Sequence, residues 1–283
     1  IEAGYDLLHL DPAAGPPDAP SDPLPLDTLV ERTLALLRHA ETIRHENDRG
    51  PLAYEVGTDE ARGGLQSPDR MRSFLNRLHA ALDAHDLPRP SFVVGDLGTR
   101  LDSGAFDAAR ARRFVAAAEE TGTLVKGHYT DDVTTPSDYP LSGVGGANVG
   151  PGLSAVEAEA VRALAELESE LGHNSRMVNT LRSAVVESGR WTKWLRPDEQ
   201  GTAFPDLPSE RQRWLINTGS RYVWTNPEVQ AARAALYEHV APYRDAEAYV
   251  LWRLKTAILR YMHAFNLVGL TDRLAEHLPP PSA

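Results

Sequence analysis

No cysteine occurs among the 283 residues. A disulfide framework, a thiol nucleophile and a thiolate zinc site are therefore excluded, and any metal must rest on His, Asp or Glu. No apolar run reaches the roughly 18 residues of a membrane span, and no charged segment followed by an apolar stretch has the layout of a signal peptide. The expectation is a cytoplasmic protein with no membrane partner. Basic clusters are missing too, since 29 Lys and Arg against 40 Asp and Glu leave a formal net charge of -11. A phosphate backbone is held by clustered Lys and Arg, so nucleic acid is not an expected partner. An initiator Met is also lacking. Residues 1–4 read as the last turn of a helix closed by Gly4 and run straight into a strand, so the chain is expected to be a fragment lacking its upstream elements.

What is present is an alternation of two periods. Residues 5–10 read as a strand, a Pro-rich loop follows over 11–25, and residues 26–47 carry Leu29, Leu34, Leu37, Ala40 and Ile43 at helical spacing, with Asp27 as the expected N-cap. A short strand over 52–56 leads to a helix over 68–85 with Met71, Phe74, Leu75, Leu78 and Leu82 on one side. The unit repeats as a strand at 91–95, an Ala-rich helix at 107–120 and a strand at 123–127, and residues 147–150 end the series. Strands alternating with helices of ten or more residues predict right-handed βαβ units and a parallel sheet. With polar residues collected in the βα loops, the fold class is α/β, a (β/α)8-type TIM barrel. Five strands can be counted where eight close a barrel, so the first strands are expected to be absent. Beyond residue 153 the pattern is helical alone. The predicted organisation is the C-terminal part of a barrel over 1–152 and a helical region packed on it over 153–283. There the stripe Leu251, Leu254, Ile258, Leu259 and Met262 reads as packing core.

Four strand ends carry residues suited to chemistry. His9 and Asp11 share a face of the first strand, where an imidazole and a carboxylate serve one site, or where His9 fills a barrel layer and Asp11 turns the loop. Glu55 sits within an apolar strand, where a carboxylate is costly unless paired or bound to metal. Asp96 and Asp102 follow the third strand among glycines and read equally as turn residues. His128-Tyr129-Thr130-Asp131-Asp132 ends the fourth strand, where barrels place their ligands and bases. The candidate catalytic residues are thus Asp11, Glu55 and Asp131, and the candidate metal ligands His9 and His128. Gly145, Gly146 and Asn148 belong to a glycine-rich segment before a helix, which reads as a phosphate cradle or as a plain tight turn. A carboxylate-rich site with a phosphate cradle suits a phosphorylated sugar and a divalent cation.

These residues carry a resemblance to a known family. His9-Leu10-Asp11, Asp22-Pro23-Leu24-Pro25-Leu26 before Glu31-Arg32, Tyr54-Glu55-Val56-Gly57-Thr58-Asp59, His128-Tyr129-Thr130-Asp131 and Val149-Gly150-Pro151 occur in the order seen in the GatZ/KbaZ family. That family is the non-catalytic subunit of class II tagatose-bisphosphate aldolase. The resemblance spans nearly the whole chain. It implies a TIM barrel with a helical C-terminal extension, and a role in galactitol, N-acetylgalactosamine or tagatose metabolism. It further implies a catalytic aldolase subunit as partner, a phosphorylated ketose as ligand and a divalent ion, Zn or Mn, as cofactor. Relatives act as metal-dependent ketose 4-epimerases, inverting one carbinol by retro-aldol cleavage and re-addition. By the same resemblance His128 matches a late metal-type histidine, Asp131 the carboxylate three residues on, and His9 and Asp11 the His-Leu-Asp motif. Two departures stand out. The family's Asp-His pair lies on an earlier strand not found in this sequence, and the loop Thr99-Arg100-Leu101-Asp102-Ser103 lacks a histidine found nearby in some members.

Overall fold

The computed structural model describes residues 1, 3–13, 23–57, 65–102, 105–131 and 133–277. Asp22, Thr58, Asp59, Ser103, Asp132, most of the Pro-rich loop and the terminal Pro279, Pro280 and Pro281 lie outside them. The chain divides into two compact units, Ile1–Asn148 and Val149–Ala283.

The first unit alternates strands and helices: β1 Leu7–Leu10, α1 Leu26–Glu46, β2 Ala53–Val56, α2 Pro68–Asp83, β3 Phe92–Gly95, α3 Ala108–Glu119, β4 Leu124–Gly127, a single turn α4 Asp138–Leu141, and β5 Gly146–Ala147. All pairings are parallel and the strand order is β1-β2-β3-β4-β5. A doubly wound sheet would reverse its order and carry helices on both faces. Here the order is sequential and the helices pack on their neighbours, α1 on α2 and α2 on α3. The result is an α/β fold whose curled sheet has the form of a half-barrel.

Local signals explain where the helices begin. Ser67 Oγ accepts the Arg70 N–H and Pro68 opens α2, where a missing N–H costs nothing. Asp107 caps α3 by accepting the Arg110 N–H at 2.9 Å. The expected cap of α1 is displaced: the helix opens at Leu26 after Pro25 with no side-chain cap. Asp27 lies within the first turn, where it meets the macrodipole and pairs with Arg77. Met71, Phe74, Leu75, Leu78 and Leu82 are all fully buried, each contributing about 1.5–3 kcal/mol of transfer free energy.

The pleat sorts the sheet into two faces. Tyr54, Val56, Val93 and Val125 are buried on the face covered by helices. There a Cβ on Gly95 would meet Phe114 of α3, and one on Gly127 would meet Tyr139 of α4. His9, Glu55, Phe92, Val94, Lys126 and Gly146 stand on the other face, as their registers His9↔Glu55↔Phe92 and Val94↔Lys126↔Gly146 require. Polar side chains therefore gather on the inner face of the curl.

The second unit is helical: α5 Pro151–Glu170, α6 Met177–Glu187, α7 Ser209–Gly219, α8 Pro227–Val240, α9 Ala246–Ala264 and α10 Leu270–His277. Its core joins Leu164, Leu181, Val185, Leu215, Leu236 and Val250. Arg211 is buried and ties the segment before α7 together, donating to Glu199 at 2.8 Å and to the Trp194 carbonyl at 2.5 Å. The apolar stripe of α9 is core only in part, with Leu254 packed against the helical cluster. Only Ala246 and Val250 of that helix are buried, while Leu251, Ile258 and Leu259 are exposed. Helical periodicity marks a stripe but does not supply the surface that covers it.

Candidate metal centre

β1 and β2 pair with His9 directly beside Glu55, and β4 lies two strands from β2. The strand parity places Lys126 and His128 toward the same side, and both reach back to Glu55. Glu55 is 1% exposed. His128 Nε2 donates to Glu55 Oε1 at 2.9 Å, and Lys126 Nζ donates to Oε2. Burial alone would raise the Glu55 carboxyl. The hydrogen bonds from His128 and Lys126, with the charge of His9 beside them, outweigh it and hold the group down at about 2. Glu55 is accordingly an anion across the physiological range.

His9 is fixed through its outer nitrogen. Its Nε2 lies 2.8 Å from the Gly57 carbonyl. A carbonyl only accepts, so Nε2 carries a proton and Nδ1 is the ring nitrogen left to face a ligand. Metal-bound histidines commonly anchor their second ring nitrogen on a backbone carbonyl in this way. The turn that presents this carbonyl depends on Gly57, whose φ is +87° and whose Cβ would lie 2.8 Å from Leu65. The His9 and His128 rings meet edge to face with centroids 5.2 Å apart.

His9, Glu55 and His128 each offer a ligand atom, and the three atoms lie within 4.8 Å of one another. Two imidazoles and a carboxylate form the donor set of a catalytic zinc site that keeps one position open, and they also suit manganese. The donor chemistry and spacing thus fit a divalent cation.

Asp11 and Asp131 lie outside this cluster. Asp11 Oδ1 accepts the Ala13 N–H at 2.9 Å, the turn-forming contact of an Asx residue. Asp131 is buried after β4, where Thr130 N–H donates to the Asn148 carbonyl. Asp96 is held by Arg110 at 2.9 Å and Arg100 at 3.2 Å and accepts the Gly98 N–H. Burial would raise its carboxyl, and these donors keep it below the usual range.

The glycine-rich segment has a packing role. A Cβ on Gly145 would lie 2.8 Å from Leu124, and one on Gly146 would lie 3.2 Å from the Lys126 stem. The N–H groups of Gly145 and Asn148 donate to the Val125 and Gly127 carbonyls of β4. Those two donors are committed to the sheet. Lys126 is the site residue that the sequence reading passed over. Its signal was a lysine inside the apolar run Leu124-Val125-Lys126-Gly127, two positions before His128 and so on the same face.

No protein-family model matches the chain. Two curated proteins called "D-tagatose-1,6-bisphosphate aldolase subunit GatZ" are similar to it. That of Klebsiella pneumoniae is 26% identical over 87% of this chain and 62% of its own length, and that of Salmonella newport 26% over 81% and 58%. The chain resembles the GatZ/KbaZ family. It spans about three fifths of the length of these GatZ relatives. A crystal structure of the fructuronate-tagaturonate epimerase UxaE from Cohnella laeviribosi superposes with a TM-score of 0.51. It is 10% identical and covers 85% of this chain and 51% of that one, a likeness of fold alone. Among the described residues no helix is long and apolar enough to cross a membrane.

Proposed function

We propose that the chain is part of an accessory subunit that stabilises and activates a class II tagatose-bisphosphate aldolase in the cytoplasm. The observation that carries this reading is its similarity to GatZ subunits over more than four fifths of its length. In this reading the five strands belong to a (β/α)8-type barrel, and a phosphorylated ketose is the ligand of the complex. Co-expression with a catalytic aldolase subunit tests it. The two proteins purify together, and the half-life of tagatose 1,6-bisphosphate cleavage lengthens when this chain is present. An aldolase with unchanged half-life and no retained partner removes the reading.

His9, Glu55 and His128 favour a second reading, a metal-dependent ketose or ketose-phosphate 4-epimerase. Their donor set suits Zn or Mn, which would supply polarisation of the ketose oxygens beside the bond that a retro-aldol step breaks. His9, Glu55 and His128 would hold the ion, and the His9 bond to the Gly57 carbonyl fixes the orientation of its ring. Asp11 and Asp131 stand at the ends of β1 and β4 as candidates to move the carbinol proton. Gly145, Gly146 and Asn148 are the proposed phosphate contacts, narrowed by the two N–H groups already in the ladder. Conversion of a ketose that is abolished by EDTA and restored by Zn²⁺ or Mn²⁺ supports this reading. Conversion that survives EDTA counts against it.

A further inference from the structure

The chain meets its need for cations almost wholly with arginine. Of its 29 basic residues only Lys126, Lys193 and Lys255 are lysines. Lys193 and Lys255 are exposed. Lys126 alone faces inward, its side chain 16% exposed, with its stem against Gly146 and its Nζ 6.0 Å from the Phe92 ring centroid. A lysine differs from an arginine in carrying a compact charge on a flexible stem, which can change partners without a fixed planar fork.

Glu55 is where that flexibility matters. One of its oxygens holds Lys126 and the other His128, and His9 stands beside it in register. A divalent cation bound by His9, Glu55 and His128 draws on the same carboxylate. Two positive charges sharing one carboxylate repel each other, strongly so where water is scarce. We propose that Lys126 and a divalent cation compete for Glu55, so that cation binding transfers the carboxylate to the metal and releases the ammonium to an oxygen of an anionic sugar ligand on the inner face of the sheet. Lys126 is then a positioning residue that sets metal affinity and couples it to ligand binding. The inference rests on the metal-centre reading.

Isothermal titration with Mn²⁺ and Zn²⁺ on the whole chain separates the two claims. Lys126→Met and Lys126→Gln bind the cation about tenfold or more tighter than the unaltered protein, while His128→Ala loses it. Equal or weaker binding by both Lys126 variants, with binding still lost in His128→Ala, overturns the competition and leaves the metal site standing. Absence of binding in every protein removes both. The unaltered chain supplies a second measurement that does not depend on a variant folding. Amine acylation at fixed pH is followed by mass spectrometry, with Lys193 and Lys255 as internal references. Saturating cation raises the labelling rate of Lys126 relative to them several-fold, and an unchanged or lower relative rate overturns the proposal.

Discussion

His128 donates from Nε2 to Glu55 Oε1 across 2.9 Å, joining β4 to β2 over the strand between them. The bond gives a buried carboxylate one of its two partners and brings together residues 73 positions apart in the chain. Replacing Glu55 by Ala strands the Lys126 ammonium on the inner face without its acceptor. Loss of one member of a buried ion pair costs about 3 kcal/mol. Urea denaturation should show that loss for Glu55→Ala, and a variant as stable as the parent would refute the structural role of the pair.

Acid should act through the same carboxylate. Glu55 is held at about 2 against an ordinary value of 4.5. A lowered native value means that its stabilisation is complete above pH 4.5 and is lost as the pH falls toward about 2. The shift corresponds to about 3 kcal/mol. Between those limits the stability of Glu55→Gln should depend less steeply on pH than that of the parent, as read from denaturation midpoints at successive pH values. Parallel curves would exclude Glu55 as the source.

Tyr54 donates to Glu41 Oε1 at 2.6 Å and fastens β2 to α1, with Arg44 on the same carboxylate. Burial would raise the Glu41 carboxyl, and the hydrogen bonds from Arg44 and Tyr54 hold it below the usual range. Tyr54→Phe keeps the ring and removes one bond to a charged acceptor, an expected cost of about 1.5–3 kcal/mol. The thermal midpoint of the variant checks it.

Gly127 faces the helix layer, where a Cβ would lie 2.7 Å from Tyr139 and 2.8 Å from Leu97. Both neighbours are buried, so neither ring nor isobutyl group has room to retreat. Gly127→Ala should destabilise by about 1–3 kcal/mol through overpacking. A neutral substitution would mean that α4 moves freely.

The helical unit offers a paired test. Leu164 is 1% exposed within the core and Trp252 is 60% exposed on α9. Leu164→Ala should cost about 2–5 kcal/mol. Trp252→Ala should stay within about 0.5 kcal/mol, the range of ordinary surface changes. A large loss at Trp252 would mean that its face is covered in solution.

The alternation of strands and helices was legible in the residues alone, because each element depends on neighbours a few positions away. The 3.6-residue spacing of Met71, Phe74, Leu75, Leu78 and Leu82 and the apolar runs around Val93 and Val125 each act within their own element. His9, Glu55 and His128 could be named one at a time, because a histidine or a carboxylate at an apolar strand end stands out by its cost of burial. Their mutual placement could not be read in that way. It arises from the parallel registers His9↔Glu55 and Val94↔Lys126, which are set by strands packing side by side and by the helices on their other face. The same limit applies to Lys126, whose partner lies 71 residues away, and to the α9 stripe, whose exposure depends on what the rest of the fold leaves uncovered. Local spacing determined which side chains share a face, and tertiary packing decided which faces are buried and which charges meet.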